Sequence, residues 1–207
     1  MPDRYVQYGC GWSAPEGWLN FDCSPTLRFE RLPVIGRSYT RNAKRFPPNV
    51  RYGDIVRGLP IPPDCCNGIY CSHVLEHLSL EDLDVALANT FKYLKSGGVF
   101  RFVVPDLEDL ARAYLADGST HAAAKFMEAS CLGKKKRVRG MRGLVTEWLG
   151  NSAHLWMWDE KAMREQLGNH GFKDIRRAVF GDAEDNKFHE VEDVERFKGC
   201  LAMQCRK

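Results

Sequence analysis

Two glycines and one acid near the start of the chain have the types and spacing of a nucleoside-binding site. Gly9 and Gly11 follow a short apolar segment, and Asp22 ends the next such segment. Glycines at the carboxyl end of a buried strand let a ligand approach the backbone, because no Cβ stands in the way. An acid at the tip of the neighbouring strand can accept hydrogen bonds from two ribose hydroxyls. The pattern therefore predicts a cofactor that contains a nucleoside.

The spacing argues against a dinucleotide cofactor. Such a site has the pattern G-x-G-x-x-G, with an acid about 20 residues further on. Here Gly17 follows Gly11 by six residues, and Asp22 follows Gly11 by eleven. This spacing leaves no helix N-terminus to hold a pyrophosphate. A cofactor with a ribose but no phosphate fits the pattern better.

Composition indicates an ordinary globular protein. The chain has 207 residues, of which 44% are hydrophobic and 28% charged, so we expect a single domain over residues 1–207. No apolar run approaches the roughly 18 residues of a membrane span. The first residues also lack the apolar segment of an export signal, so we expect a cytoplasmic protein with reduced cysteines. The net charge of +3 is too small to indicate nucleic-acid binding.

The elements that must position these residues alternate between strands and helices. Seven strands are predicted, at Tyr5–Tyr8, Trp18–Phe21, Val50–Tyr52, Gly68–Ser72, Val99–Val104, Phe172–Phe180 and Gly199–Cys205. Helical segments are predicted near Thr26–Leu32 and at Leu80–Leu94, Leu107–Leu115, Ala122–Cys131 and Glu160–Asn169. Ser79, Asp106 and Asp159 are the predicted N-caps, and Gly97-Gly98 is predicted to stop the second helix. This alternation implies an α/β sheet with right-handed crossovers.

In this order the motifs resemble those of the class I S-adenosylmethionine-dependent methyltransferases, in particular the small type-11-like bacterial proteins. The matching strings are VQYGCG, GWLNFD, RYGDI, IYCSHVLEHL, LKSGGVFRFVVPDLEDL and the tail HLWMWDEKAMREQLGNHGF. The resemblance implies a Rossmann-like sheet of strand order 3-2-1-4-5-7-6 with an antiparallel last strand. It also implies methyl transfer from S-adenosylmethionine, with S-adenosylhomocysteine as product, to an oxygen or nitrogen of an unidentified acceptor. A saccharide or another small anionic molecule is the expected class of acceptor.

The resemblance also implies the residues of the site. Those expected at the cofactor are Gly9, Cys10, Gly11, Asp22, Cys23, Asp54, Ile55, Cys71, Ser72 and His73. Asp22 would hold the ribose hydroxyls, and Asp54 would accept from the adenine amino group. His73, His154 and Asp106 are the candidate catalytic residues, with His73 first as the base if the acceptor is a hydroxyl. No metal ion is expected, and the protein is expected to be a monomer or a homodimer.

One departure from the family concerns the first crossover. Only the ten residues Gly9–Trp18 join the first two strands. Parallel strands need a crossover of about a dozen residues, so this one must be a single turn or an irregular loop. The family's helix before the first strand is missing as well. What closes the cofactor site is therefore left open.

Two alternatives compete with this interpretation. His73–His77 has the H-x-x-E-H pattern of a class of zinc peptidases, in which histidines on one helical face hold the metal. Its position directly after a strand and before the Ser79 cap argues against that class. The other alternative is a catalytically idle methyltransferase-like subunit that binds a partner. Turnover of the cofactor with any acceptor would exclude it.

Two further segments allow a functional or a purely structural interpretation. Lys134–Arg142 holds six basic residues in nine positions and is either a solvated loop or a landing site for an anionic acceptor. No aromatic-rich RNA-binding module accompanies it, so a nucleic-acid substrate is not expected. Trp148, Trp156 and Trp158 flank Asn151–His154 and predict either a packing cluster or an acceptor pocket.

Overall fold

Seven strands form one mixed sheet in the computed structural model, which describes residues 4–33, 36, 45–133 and 153–207. The strands are β1 (Tyr5–Tyr8), β2 (Trp18–Asp22), β3 (Val50–Tyr52), β4 (Cys66–Ser72), β5 (Leu94–Pro105), β6 (Lys173–Ala178) and β7 (Cys200–Arg206). Their order is β3-β2-β1-β4-β5-β7-β6, and β7 runs antiparallel to both of its neighbours. The predicted strand order and the antiparallel last strand are confirmed.

Six α-helices belong to the described part of the chain. They are α1 (Pro25–Glu30), α2 (Leu80–Tyr93), α3 (Leu107–Ala116), α4 (Ala122–Ala129), α5 (Glu160–Asn169) and α6 (Val194–Phe197). The predicted caps are present. The Ser79 hydroxyl, for example, accepts from the Asp82 amide at 3.1 Å and satisfies one of the open N–H groups of the first turn. None of the described helices is both long and apolar enough to cross a membrane.

The end of α2 differs from the prediction that Gly97-Gly98 stop this helix. The helix ends at Tyr93, and Leu94 already belongs to β5. The Cys65 amide donates to the Tyr93 carbonyl at 2.9 Å, and Leu94 pairs with Cys66, so β5 begins at Leu94, five residues before the predicted start at Val99. Gly97 does adopt a left-handed backbone, with φ of +75°, but within β5. The apolar stripe could not show this, because Leu94 is buried in either arrangement.

One face of the sheet is apolar and carries α2 and α5. Alternate strand residues such as Val6, Ile69 and Phe100 are buried together with Leu87 of α2 and Leu167 of α5. Each such side chain contributes about 1.5–3 kcal/mol by leaving water. The main core therefore lies between this face and the two helices.

The opposite face is covered by the connection between β6 and β7, residues 179–199. This connection contains only a five-residue 3-10 helix, Asn186–Glu190, and the four-residue α6. Its Phe188 and Val191 are buried with Tyr5, Trp18 and Tyr70. The connection therefore covers β1, β2 and β4. The first crossover is an irregular loop, as predicted.

Buried polar side chains occupy the sheet beneath these irregular segments. The Gln7 amide donates to the Ser13 carbonyl and to Asn20 Oδ1, both at 2.6 Å. Arg101 is fully buried in β5, where it pairs with the buried Glu192 and donates to the Val179 carbonyl at 2.8 Å. Irregular chain leaves carbonyl groups outside any helix or ladder, and a buried carbonyl needs a donor. These strand side chains supply the donors.

All eight cysteines are free thiols, as predicted. Five of them are buried. Buried cysteine acts here as a small apolar side chain, as in the core cluster that contains Cys66, Cys71 and Cys205.

Candidate cofactor site at the carboxyl edge of the sheet

Asp22 presents a fixed carboxylate at the tip of β2. The residue is only 8% exposed. Its Oδ2 accepts from the Gly11 amide at 2.9 Å, and its Oδ1 accepts from the Ser24 amide at 2.8 Å. A carboxylate has about four acceptor positions, so each oxygen keeps one for a ligand. The carboxylate is therefore held in place and still able to accept two hydroxyl donors.

The loop after β1 can be formed only with glycine at position 9. Gly9 has φ of +64°, and a Cβ at this position would lie 2.2 Å from Cγ2 of Val74. The loop therefore lies directly against the chain that follows β4. Between the two glycines, Cys10 turns its side chain into a cluster with Leu27 and Val50, where burial, followed by the charge of Asp22, raises its pKa to about 12. Cys10 thus offers its backbone, and not its thiol, to a ligand.

Asp54 and Ile55 follow β3, as the predicted adenine site requires. The Asp54 carboxylate accepts from the Val56 amide at 2.9 Å, and the Ile55 carbonyl accepts from the Asn89 side chain of α2 at 2.8 Å. Asp54 remains partly exposed, whereas Ile55 is buried. The segment is thereby anchored on one side to α2 and open to a ligand at Asp54.

Cys23 connects the two acids electrostatically. Desolvation, followed by the charges of the Asp22 and Asp54 carboxylates, raises the pKa of the Cys23 thiol to about 11. Both acids therefore act on the same neighbourhood at the tips of β2 and β3. Their combined negative charge suits the hydroxyl and amine donors of an adenosine.

A narrow crevice of about 20 Å³ lies on the methionine side of the predicted site. Gly9 and Ser72 form one wall, and Val191 and Arg196 of the β6–β7 connection form the other. The buried hydroxyls of Ser72 and Tyr70 interact with each other, but neither reaches full hydrogen-bond geometry with a described residue. Buried hydroxyls without a full hydrogen bond are costly, so a polar ligand group here would satisfy them. The donor and acceptor set fits the cofactor, although Val191 and Arg196 must give way to admit it.

His73 takes a constrained position immediately after β4. Its backbone is left-handed, with φ of +55°. Nδ1 lies 3.1 Å from Glu76 Oε1, and Nε2 lies 3.2 Å from the carbonyl oxygen of Arg196. Burial alone lowers the pKa of His73, but hydrogen bonds to Cys200 and Glu76 outweigh it and raise the pKa to about 10. Nδ1 faces a carboxylate, and Nε2 faces the Arg196 carbonyl with the Cys200 thiol 4.0 Å away.

The other two predicted residues near this turn have structural partners. Cys71 points into the main core, where burial raises the pKa of its thiol. Asp106 ends β5 as predicted and is almost fully buried. Its Oδ1 caps α3 through the Glu108 amide at 3.0 Å, and its Oδ2 accepts from Arg177 at 2.7 Å. Both Asp106 oxygens therefore hold the fold together.

His154 lies beside Glu76, although 77 residues separate them in sequence. Its Nε2 is 4.0 Å from Glu76 Oε1, and its ring meets that of His77 edge-on, with centroids 5.0 Å apart. Burial lowers the pKa of His154. Glu76, His77 and His154 thus form one cluster, of which sequence reasoning had singled out only His154 as a site residue.

The two histidines of the H-x-x-E-H pattern do not share a helical face. Leu75–His77 is a 3-10 helix, preceded by the left-handed His73. Lys134–Arg142, Trp148 and Asn151 lie outside the described residues. Of the other two tryptophans, Trp158 is buried, whereas Trp156 is 43% exposed. The Trp158 carbonyl accepts from the Leu107 amide at 2.9 Å, so Trp158 is fixed to the first residue of α3.

Sequence reasoning missed three residues of this edge. Tyr70, Val191 and Arg196 border the crevice. Val191 and Arg196 lie outside the matched motifs, and Tyr70 lies within IYCSHVLEHL but was given no role. Tyr70 could have been found by alternation, because it shares a sheet face with Ser72 two residues later. Nothing in the local sequence of Val191 or Arg196 indicates that the β6–β7 connection folds back over β1.

A larger cavity lies at the opposite, amino edge of the parallel strands. It measures about 290 Å³ and is lined in part by Tyr5, Asn67, Glu184 and Arg206. None of the predicted site residues borders it. In open α/β sheets ligands bind at the carboxyl edge, so this cavity is not the candidate site.

Comparison with known proteins places the chain in a family. The Methyltransferase domain family matches residues 12–176, which is most of the chain. The chain therefore belongs to this family, and the predicted class is confirmed. A search of curated protein sequences found no match.

Solved structures with the same fold cover nearly the whole chain. An S-adenosylmethionine-dependent methyltransferase from Archaeoglobus fulgidus has a TM-score of 0.53 and 14% identity, over 99% of this chain and 86% of that one. One from Mesorhizobium loti has a TM-score of 0.50 and 17% identity, over 100% and 94%. PigF with S-adenosylhomocysteine has a TM-score of 0.51 and 13% identity, over 99% and 50%. Likeness at these identities establishes the fold. With the family, it confirms S-adenosylmethionine as the predicted cofactor.

Proposed function

We propose that this protein transfers a methyl group from S-adenosylmethionine to an oxygen or nitrogen of a small acceptor, such as a saccharide or another small anionic molecule. The fixed Asp22 carboxylate beside the glycine loop carries the proposal. A ribose offers two neighbouring hydroxyl donors, and Asp22 keeps one acceptor position on each oxygen. The bound cofactor supplies an electrophilic methyl group on its sulfonium.

Each residue of the site binds a different part of the cofactor. Asp22 accepts from the ribose, and Asp54 accepts from the adenine amino group while the Ile55 amide reaches a ring nitrogen. Gly9 lets the loop pass close beneath the methionine part. The hydroxyl of Ser72, whose contact with Tyr70 falls short of full hydrogen-bond geometry, gains a partner in the polar end of the methionine. Each role follows from the donors and acceptors that the side chain leaves open.

The β6–β7 connection excludes water from the reacting atoms. Val191 and Arg196 stand opposite Gly9 and Ser72, and an Arg196 Nη donates to the Ser72 carbonyl at 3.4 Å. Methyl transfer needs alignment and a dry site more than a strong catalyst. The connection thus closes the site over Gly9 and Ser72. The free cysteine thiols of the protein suit the reducing cytoplasm, where we place it.

His73 acts in this proposal as a positioning residue. Its two nitrogens face the Glu76 carboxylate and the Arg196 carbonyl, so it ties the end of β4 to the connection. The loss of His73 should therefore lower stability and cofactor affinity together.

The direct test is turnover with a panel of acceptors. The purified protein is incubated with S-adenosylmethionine and with neutral sugars, uronic acids, sugar phosphates or amino sugars, and S-adenosylhomocysteine is quantified. We expect product above the acceptor-free background with at least one class. Gly9→Val should abolish it, because the new side chain would clash with Val74, whereas Gly118→Val should not, because nothing lies within 4 Å of a Cβ there. Tight cofactor binding without turnover across the panel would instead indicate the idle binding subunit.

A further inference from the structure

The Glu76–His77–His154 cluster has the composition of a metal site. One oxygen or nitrogen from each residue lies within 4.8 Å of the others. Two imidazoles and one carboxylate are a common ligand set of divalent transition metals, with further coordination positions left for water or substrate. The set differs from the H-x-x-E-H pattern, since His154 replaces His73 and no helical spacing is involved.

One carboxylate oxygen of Glu76 has no partner among the described residues. Its side chain is fully buried. Oε1 faces the nitrogens of His73 and His154, whereas Oε2 has no hydrogen-bond partner in the described part of the chain. A buried carboxylate oxygen without a partner costs free energy. A metal ion bound to this oxygen would remove that cost.

His77 is held in the tautomer that a metal ligand needs. Its Nδ1 lies 3.0 Å from the carbonyl oxygen of Ala153. A carbonyl only accepts, so Nδ1 carries the proton and Nε2 keeps its lone pair. Metal-bound histidines usually donate their other ring N–H to such an acceptor.

The backbone also fixes the third ligand in place. The amides of Leu155 and Trp156 both donate to the Glu76 carbonyl, at 2.8 and 3.1 Å. These bonds hold the segment that follows His154 against the turn that carries Glu76 and His77. The three ligands are therefore brought together before any ion arrives.

In contrast to the expectation from the sequence that no metal ion binds, we propose that Glu76, His77 and His154 bind one divalent first-row transition metal ion, with Zn²⁺ as the reference ion. Ligand atoms about 2.0–2.1 Å from Zn²⁺ in a tetrahedron lie roughly 3.4 Å from one another, so the imidazoles rotate inward on binding. The cluster is joined through His73 to the turn after β4. If the proposed function holds, an acceptor hydroxyl would complete the coordination, and the metal would lower its pKa so that water takes the released proton.

Binding of Co²⁺ and Zn²⁺ tests the site. The protein is freed of metal under reducing conditions and titrated with Co²⁺, whose visible absorption reports the ligand set, and with Zn²⁺ by calorimetry. We expect one ion per chain and a cobalt spectrum without thiolate charge transfer. His77→Ala and His154→Gln should each weaken Zn²⁺ binding by about 100-fold or more, and Glu76→Gln should do the same with the shape of the side chain kept.

Two exposed histidines serve as controls. His121→Ala and His189→Ala should leave the Zn²⁺ affinity within about twofold of the wild type, because both side chains lie on the surface away from the cluster. Circular dichroism identifies any variant that fails to fold. If the histidine variants do not fold, the Zn²⁺ affinity of Glu76→Gln decides whether the cluster binds the metal. Wild-type affinity in folded cluster variants, or a cobalt spectrum dominated by thiolate, would overturn the proposal. Titration with S-adenosylhomocysteine in the same samples reports the cofactor site separately, so either site can fail without the other.

Discussion

The two faces of the sheet bury their side chains by different means. The face under α2 and α5 is largely apolar, and most of its residues need no partner beyond close packing. Tyr8 is an exception, because its hydroxyl pairs with Thr90 of α2 at 3.3 Å. The face under the β6–β7 connection buries Gln7, Asn20, Arg101 and Gln204. A helix satisfies its own backbone, whereas an irregular segment relies on the sheet for donors. The irregular face is therefore polar, and it is this face that borders the cofactor crevice.

The comparison predicts that substitution of Arg101 causes the largest loss of stability. Arg101→Met leaves the buried Glu192 without its cation, and removal of one partner of a buried pair costs about 3–5 kcal/mol. Urea unfolding under reducing conditions measures the change in the free energy of unfolding.

Arg112→Met is the matched control. Arg112 forms an exposed pair with Glu108 on α3, so its removal should cause little measurable change. A loss at Arg101 no greater than at Arg112 would contradict the account of the polar face.

Gln7→Leu should cause the next largest loss. The substitution removes the donor to the Ser13 carbonyl and to Asn20 Oδ1, and an orphaned buried acceptor costs about 1–3 kcal/mol. The same unfolding assay measures it.

The double variant Gln7→Leu with Asn20→Leu sharpens this prediction. Replacement of both partners by apolar groups should cost less than the sum of the single changes, because fewer acceptors are then orphaned. Strict additivity would show that the pair does not act as a unit.

The helical face should be least sensitive to the loss of a single polar group. Ser79→Ala removes the cap of α2 and should cost about 1 kcal/mol, while Ser79→Asp should keep most of the stability. Thermal unfolding of the two variants checks this. A loss larger than that of Gln7→Leu would reverse the order of the two faces.

Local patterns predicted the helical face and the position of Asp22 at the tip of β2. β1, β3 and α5 have their predicted limits, because alternation, caps and turns are set by neighbouring residues. Gly9 and Asp22 were found for the same reason, since each stands at the end of a short strand. The polar residue in VFRFVV was a visible signal that the face opposite the helices is not purely apolar, but it did not identify Glu192 as the partner of Arg101.

The features of the fold and site that the sequence did not predict depend on contacts between segments distant in the chain. No periodic pattern in residues 179–199 predicts that Val191 and Arg196 return to the glycine loop. His154 meets Glu76 only through the fold, so neither residue alone indicated a cluster. The predicted C-terminal end of α2 was wrong because strand pairing with Cys66 competes with the helix for Leu94.

Cofactor binding at Asp22 tests the central claim most directly. S-adenosylhomocysteine is titrated by calorimetry into the wild type, into Asp22→Ala and into the control Glu184→Ala, which changes an exposed acid at the opposite edge of the sheet. We expect the wild type and the control to bind alike. Asp22→Ala should bind more weakly by about 1.5–3 kcal/mol, or roughly 10- to 150-fold, the range for hydrogen bonds to a charged group. No binding to the wild type at millimolar ligand, or equal binding to Asp22→Ala, would contradict the site.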